Sequence, residues 1–326
     1  MQKLFITSPI SIAGCLITRG FAEGFKKLGF YVVEKDVRET TFEDIEKFNP
    51  DYILGYCYGY LVNQELAKDL LNNKKYKFIH YFGDEPQSRF AYTDRSELYD
   101  ILKKAKKDVF IWDKEFVSDF KGCHYLPLAV DPKLYKTTFE GYEHDLSFVG
   151  RPLTEKRQKL LSLLIKKYGK LSLYCYEDHF KRSIDEMVNN NLLNSEEIEL
   201  YKKSYKGFIR TEEELAKVYN STKVNINITE QGKDNINYRV FEVLASSGFL
   251  LTDYMPDIYN HFEVGKELDI YQNDCELIDK IDFYLQNLNI AQSIARNGRR
   301  CVVNNHTFKQ RAEKILKLMN VKGKMM

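Results

Sequence analysis

Short apolar runs alternate with longer stretches of helical period from the first residues onward. Lys3–Thr7 reads KLFIT, a run suited to a buried strand, and Tyr31–Glu34, Tyr52–Tyr56, Lys77–Tyr81 and Asp108–Trp112 repeat the pattern. Phe21, Phe25 and Leu28 fall at i, i+4 and i+7, which predicts a helix over Thr18–Leu28 closed by Gly29. Thr41 and Asp44 bracket the start of a short helix as a capping box does, and Asn49-Pro50 stops it. Strands separated by helices predict βαβ units and a parallel sheet.

The rhythm breaks at Tyr125-Leu-Pro-Leu-Ala-Val-Asp-Pro132, where two prolines and a short apolar run read as an ordered linker. It then resumes. Leu146–Val149 is a strand, Thr154–Ile165 a helix and Leu171–Tyr174 a strand, and Tyr205–Ile209, Val224–Ile228, Phe249–Thr252 and Leu268–Tyr271 extend a second sheet. Glu177–Ser204 is longer than one crossover helix needs, which predicts a helical insertion. The pattern is that of two Rossmann-like α/β halves, residues 1–130 and 131–304. A last helix follows over about His306–Met319, and 321–326 is expected to fray.

A length of 326 residues agrees with two domains. The net charge of +2 argues against a dominant nucleic-acid or membrane-surface role, which calls for a strong basic excess. Aromatic residues reach 14%, and most are expected in the core rather than stacked on a sugar or base. Cys15, Cys57, Cys123, Cys175, Cys275 and Cys301 form no paired spacing, so they read as reduced thiols rather than a disulfide framework or zinc site. The N-terminus enters a strand pattern at once, without the pattern of a cleaved signal, and no apolar run approaches the roughly 20 residues that span a bilayer. The expected location is cytoplasmic, with peripheral attachment at the inner membrane face as an option.

Open α/β sheets bind ligands at the carboxyl ends of their strands. After Leu146–Val149 comes Gly150-Arg151-Pro-Leu-Thr-Glu-Lys156-Arg157. Glycine permits close backbone approach, the following helix N-terminus offers N–H groups, and three cations surround them, so a diphosphate is the expected guest. A solvated helix start with incidental basic residues is the plainer alternative, but cations are disfavoured there by the helix dipole. The second cluster surrounds a helix over Tyr238–Ser247 that ends at Gly248. Arg239 and Glu242 share one face of it at i, i+3, while Val240, Val243 and Leu244 make the rest apolar. A carboxylate near a core needs partners. Ribose hydroxyls would serve, and an intrahelical ion pair is the alternative. Asp84, just after the strand Lys77–Tyr81, is the candidate acceptor base, against the alternative of a polar turn before Pro86. His80 and His261 are weaker candidates, and His306-Thr307 is expected to cap the last helix.

The runs YRVFEVLASSGFLLTDYMPDIYNHFEVGKELDIY and IARNGRRCVVNNHTFKQRAEKIL resemble the CgeB/YkvP-type glycosyltransferases, relatives of the group 1 enzymes. DLSFVGRPLTEKRQKLL, YKGFIRTEEELAKVYNSTKVNINIT and the hinge-like YLPLAVDPKLY are similar too, so the likeness covers about Leu126–Leu318. The N-terminal half is similar only through IHYFGDEPQSRF. The resemblance implies a GT-B fold, two Rossmann-like domains facing across a cleft. The N-terminal domain takes the acceptor and the C-terminal one the nucleotide-sugar, and the last helix packs back on the N-terminal domain. It implies that Glu242 binds the donor ribose, that Asn237, Arg239 and the Gly150-Arg151 turn line its phosphates, and that Gly207-Phe208-Ile209 lies along the base. Where many such enzymes carry a first acid of an E-x7-E pattern, this chain has the shorter Asp234.

The expected function is glycosyl transfer from a UDP- or GDP-linked sugar to a glycan, lipid-linked or protein acceptor, with bacterial surface glycans or glycoproteins as the family-level target. No D-x-D triplet occurs. Such a triplet holds a divalent ion on the diphosphate in other glycosyltransferases, so no metal or other cofactor is expected, and no nucleic-acid partner. A nucleotide-sugar epimerase on the same fold, and a coat or assembly protein that has lost the reaction, are the alternatives.

Overall fold

The structure is a computed structural model. It describes the whole chain except residues 10, 57–62, 84–99, 101, 120–121, 137, 231–234 and 324–326. Two compact units emerge. The first comprises Met1–Asp131, Gln231–Ile236 and Asn305–Met326, and the second Pro132–Glu230 and Asn237–Asn304.

In the first unit, strands β1 (Lys3–Ser8), β2 (Tyr31–Asp36), β3 (Tyr52–Tyr56), β4 (Lys77–Phe82), β5 (Asp108–Ile111) and β6 (His124–Tyr125) form a parallel sheet in the order β2-β1-β3-β4-β5-β6. Leu4, Ile6, Leu54, Ile79 and Phe110 are fully buried, as expected for a sheet covered on both faces. Helix α1 (Ile12–Lys26) begins well before Thr18 because the Ser11 side chain caps it, accepting from the Gly14 N–H at 3.1 Å. Helix α2 (Phe42–Phe48) has the expected capping box, with Thr41 and Asp44 bonded reciprocally. Helices α3 (Gln64–Asn72) and α4 (Lys114–Asp119) complete the described helices of this part of the chain that matter here.

The second unit holds β7 (His144–Val149), β8 (Ser172–Tyr174), β9 (Tyr205–Gly207), β10 (Thr222–Asn227), β11 (Leu250–Asp253) and β12 (Asp269–Tyr271), again all parallel, in the order β12-β11-β10-β7-β8-β9. Numbered from β7, that is the doubly wound order in which the chain works outward from the centre in one direction, then returns to fill the other side. Its helices are α5 (Glu155–Tyr168), α6 (Glu177–Asn189), α7 (Ser195–Ser204), α8 (Glu212–Asn220), α9 (Tyr238–Ala245), α10 (Asp274–Gln286) and α11 (Leu288–Asn305), with a 3-10 turn at Pro256–Asn260. The insertion over Glu177–Ser204 is thus a pair of helices. Phe180, Met187, Ile198 and Tyr201 bury its apolar faces in the unit's core.

Helix α9 ends differently from expectation. Ser247, not Gly248, takes the left-handed conformation, with φ 57°. Gly248 answers a packing need instead: a Cβ there would lie 2.7 Å from the Tyr219 carbonyl oxygen. The chain closes with α12 (Phe308–Gly323), which packs on α1 in the first unit. Thr307 caps it by accepting from the Gln310 N–H. The buried Arg311 donates to the Pro127 and Leu128 carbonyls, each at 2.9 Å, and so ties α12 to the segment after β6. Against the expected fraying at 321–326, α12 continues to Gly323, and 324–326 lie outside the described residues.

Candidate active site

In a doubly wound sheet the strand order reverses at one point, and the loops leaving the two strands there open a crevice at their carboxyl ends. In the second unit that point lies between β7 and β10. Gly150 follows β7 with φ 149°, and a Cβ on it would sit 2.5 Å from Arg239 Nη2. Glycine suits that positive φ and leaves room beside the guanidinium, which lies over the Phe148 ring at 5.6 Å. Arg239 Nη1 donates to Asn227 Oδ1 at 2.9 Å, and Asn237, the N-cap of α9, donates to the same oxygen at 3.1 Å. The Asn237 Oδ1 has no partner among the described residues.

The three cations of the loop after β7 divide into two kinds. Arg157 is 4% exposed and ties the end of β10 to the loop. Its Nε and Nη2 donate to the Ile228 carbonyl at 3.0 and 2.8 Å, and its Nη1 to the Arg151 carbonyl at 2.9 Å and Glu230 Oε2 at 2.7 Å. Burial lowers its pKa to about 10, which leaves it charged near neutrality. Arg151 and Lys156 are more open, with 32% and 52% of their side chains exposed. Arg151 pairs with Glu230 at 2.8 Å and Lys156 with Asp253 at 2.5 Å. Asp253 is itself fixed by the Thr229 N–H at 3.1 Å and by the Thr229 hydroxyl.

The loops after β8 and β9 carry aromatic rings. Gly207 has φ 101°, and the next residue, Phe208, is 40% exposed. Its ring stacks on Tyr176, with centroids 4.0 Å apart and planes 15° from parallel. His179, on the first turn of α6, meets the Tyr176 ring edge-on at 5.6 Å. Burial and the neighbouring Arg151 charge lower the His179 pKa, which favours the neutral ring.

Glu242 is 9% exposed, and its Oε1 accepts from the Tyr135 hydroxyl at 2.9 Å. Burial raises its pKa, opposed by the Arg239 charge and the Tyr135 hydrogen bond. Arg239 and Glu242 thus find their hydrogen-bond partners on different elements. Asp84 and Asp234 lie outside the described residues. The weaker histidine candidates have structural settings. His80 is fully buried in β4 against Phe82, and burial lowers its pKa to about 3. His261 lies 3.1 Å from Asp257, and His306 3.0 Å from Arg311. Among the described residues no cluster of His, Cys, Asp or Glu is arranged to hold a metal ion.

Residues 158–317 match the glycosyl transferase-like family, a range that includes Asn237, Arg239 and Glu242. No curated protein matches the chain by sequence. Among solved structures, a sucrose-phosphate synthase from Thermosynechococcus elongatus is similar with a TM-score of 0.73 and 12% identity over 100% of both chains. HepE from Anabaena, in complex with UDP and glucose, gives 0.69 and 11% over 98% of this chain and 99% of that one. A glycosyltransferase from Rickettsia africae gives 0.67 and 14% over 97% of each. Family match and fold agree. The fold is the GT-B fold of those glycosyltransferases, and the family match spans just under half of the chain.

Several residues of the crevice escaped the sequence reading. Asn227 was legible in principle, as a polar side chain within the largely apolar run Val224–Ile228. Glu230 and Asp253 follow β10 and end β11, but only the strand order brings them to the cations. Tyr135 lies far from Glu242 along the chain, and no local pattern marks it.

Proposed function

We propose that the protein is a glycosyltransferase that takes a nucleoside-diphosphate sugar into the β7–β10 crevice and passes the sugar to an acceptor hydroxyl without a metal ion. One observation carries this reading: among the described residues Arg151, Lys156, Arg157 and Arg239 converge there against Glu230, Asp253 and, beside Arg239, the buried Glu242. Four cations against three carboxylates leave a positive excess. A sugar diphosphate diester brings negative charge to meet it, and the leaving nucleoside diphosphate gains one more as the bond from the anomeric carbon breaks. Cations already placed stabilise that developing charge without having to reorganise.

In this reading Arg151, Lys156, Arg239 and Asn237, with the Gly150 backbone, contact the diphosphate. Glu242 accepts from the ribose, Gly207 and Phe208 border the base, and Asp234 approaches the sugar. Asp84 would take the acceptor's proton as its oxygen bonds to the anomeric carbon. The UDP bound in HepE supports a uridine donor, and the quoted motifs support the CgeB/YkvP-type branch, with a surface glycan or glycoprotein as acceptor. A thermal-shift screen of UDP, GDP, dTDP and CMP tests the reading. At least one diphosphate is expected to raise the melting temperature, and no shift with any nucleotide would defeat it. Incubating the protein with the sugar-linked form of that nucleotide then separates transfer from epimerisation, which would yield a new sugar epimer in the absence of acceptor.

A further inference from the structure

Asn227 is fully buried at the carboxyl end of β10, directly at the point where the strand order reverses. A wholly buried amide must satisfy both ends of its side chain or destabilise the fold. Its Nδ2 donates to the Thr252 hydroxyl on β11 at 2.9 Å, which fixes which way the amide points. That leaves Oδ1 facing α9, where it accepts from Asn237 Nδ2 at 3.1 Å and from Arg239 Nη1 at 2.9 Å. The backbone beneath is pinned as well, since the Asn227 carbonyl accepts from the Tyr271 hydroxyl at 3.1 Å.

The N-cap residue Asn237 and Arg239 of the first turn therefore share a single rigid acceptor. Arg239 has a neutral oxygen rather than a carboxylate as this hydrogen-bond partner, so the bond orients the guanidinium without itself neutralising it. That contrasts with Arg151 and Lys156, each of which meets an acid. Asn237 spends one of its two Nδ2 N–H groups on the same oxygen, while its Oδ1, an acceptor that cannot bond a phosphate oxygen, has no partner among the described residues.

Resting on the donor reading above, we infer that Asn227 is a positioning residue: it sets the Asn237 and Arg239 side chains for the donor phosphates without touching the ligand. The neutral amide matters as much as the geometry. Asn227→Asp keeps the acceptor oxygen and the shape, but puts a buried carboxylate against Arg239 and offsets its charge.

The test compares a nucleoside with its diphosphate. UDP, GDP and dTDP are titrated against the wild type by calorimetry, then the best of them and its parent nucleoside against Asn227→Asp and Asn227→Ala. The ratio of the two affinities measures what the phosphates contribute. We expect the diphosphate to bind about ten-fold or more weaker to both variants while nucleoside affinity stays within about two-fold, so the ratio collapses. Melting temperatures of the unliganded variants report folding separately, and Asn227→Asp is the near-isosteric control should Asn227→Ala unfold. If the wild type binds no diphosphate, the donor reading itself fails. If it binds and the ratio is unchanged in Asn227→Asp, or nucleoside and diphosphate weaken together, the positioning role fails while the donor reading stands.

Discussion

At Glu242, binding and stability pull in opposite directions. The carboxyl is held above its ordinary range by burial, with Arg239 and the Tyr135 hydroxyl opposing. Because the folded pKa lies above the unfolded one, ionisation of this group costs the fold stability once the pH has risen through the folded value. Below the unfolded value of 4.5 the group is protonated in both states and the cost disappears. Glu242→Gln keeps nearly the same shape and an oxygen for Tyr135 but never ionises. It should therefore melt no lower than wild type at neutral pH, with any advantage shrinking as the pH falls towards 4.5. If the carboxylate accepts from the donor ribose, the same substitution removes a charged hydrogen bond of roughly 1.5–3 kcal/mol, and donor affinity falls about ten- to hundred-fold. Scanning calorimetry across pH checks the first outcome and titration with UDP the second. A 2′,3′-dideoxy nucleotide separates the contact from general damage: it should bind wild type poorly and the variant no worse. Equal loss on both proteins would remove the ribose role.

At the level of elements, the pairing of α1 with α12 depends on two glycines. A Cβ on Gly20 would lie 2.1 Å from the Phe308 ring, and one on Gly24 2.6 Å from the Phe308 carbonyl oxygen. Alanine in a helix interior ordinarily gains about 0.5–1 kcal/mol over glycine. Here that gain is outweighed by overpacking, which typically costs about 1–3 kcal/mol. Gly20→Ala is expected to lower stability by urea unfolding, and Phe308→Leu to recover part of the loss in the double variant. Strictly additive effects would mean that the ring is not what Gly20 accommodates. The same glycines explain why α1 was only half legible. Its buried face at Phe21 and Phe25 has helical spacing, but Gly14, Gly20 and Gly24 weaken the helical signal, and Ser11 reads as a cap only once the helix is in view. The capping box at Thr41 and Asp44 is read more easily, because both partners are local. Likewise the β6 pairing was hidden, since two residues bordering a proline-rich stretch carry no periodicity of their own.

For the whole molecule, strand–helix alternation made both parallel sheets legible, but not the order of their strands. That order rests on contacts distant in sequence, such as β7 beside β10, and it alone decides which loops meet. Gly150 and Arg239 could be singled out separately, whereas their contact could not. The chain as a whole carries a net charge of only +2, so the proposed anion binding rests on placement rather than excess. The β7–β10 crevice gathers Arg151, Lys156, Arg157 and Arg239 around Glu230 and Asp253, and the N-terminus of α9 adds N–H groups beside them. If these groups meet the diphosphate charge, a divalent ion is not needed to neutralise it. The thermal shift produced by UDP should then be the same in EDTA as in magnesium or manganese. At a hundred times its dissociation constant, a ligand stabilises the folded state by about 2.7 kcal/mol, large enough to follow reliably. Raising the salt should reduce the shift by weakening ionic contacts, while chelation alone should leave it intact. A shift that vanishes in EDTA and returns with manganese would transfer the charge-neutralising role from these side chains to an ion.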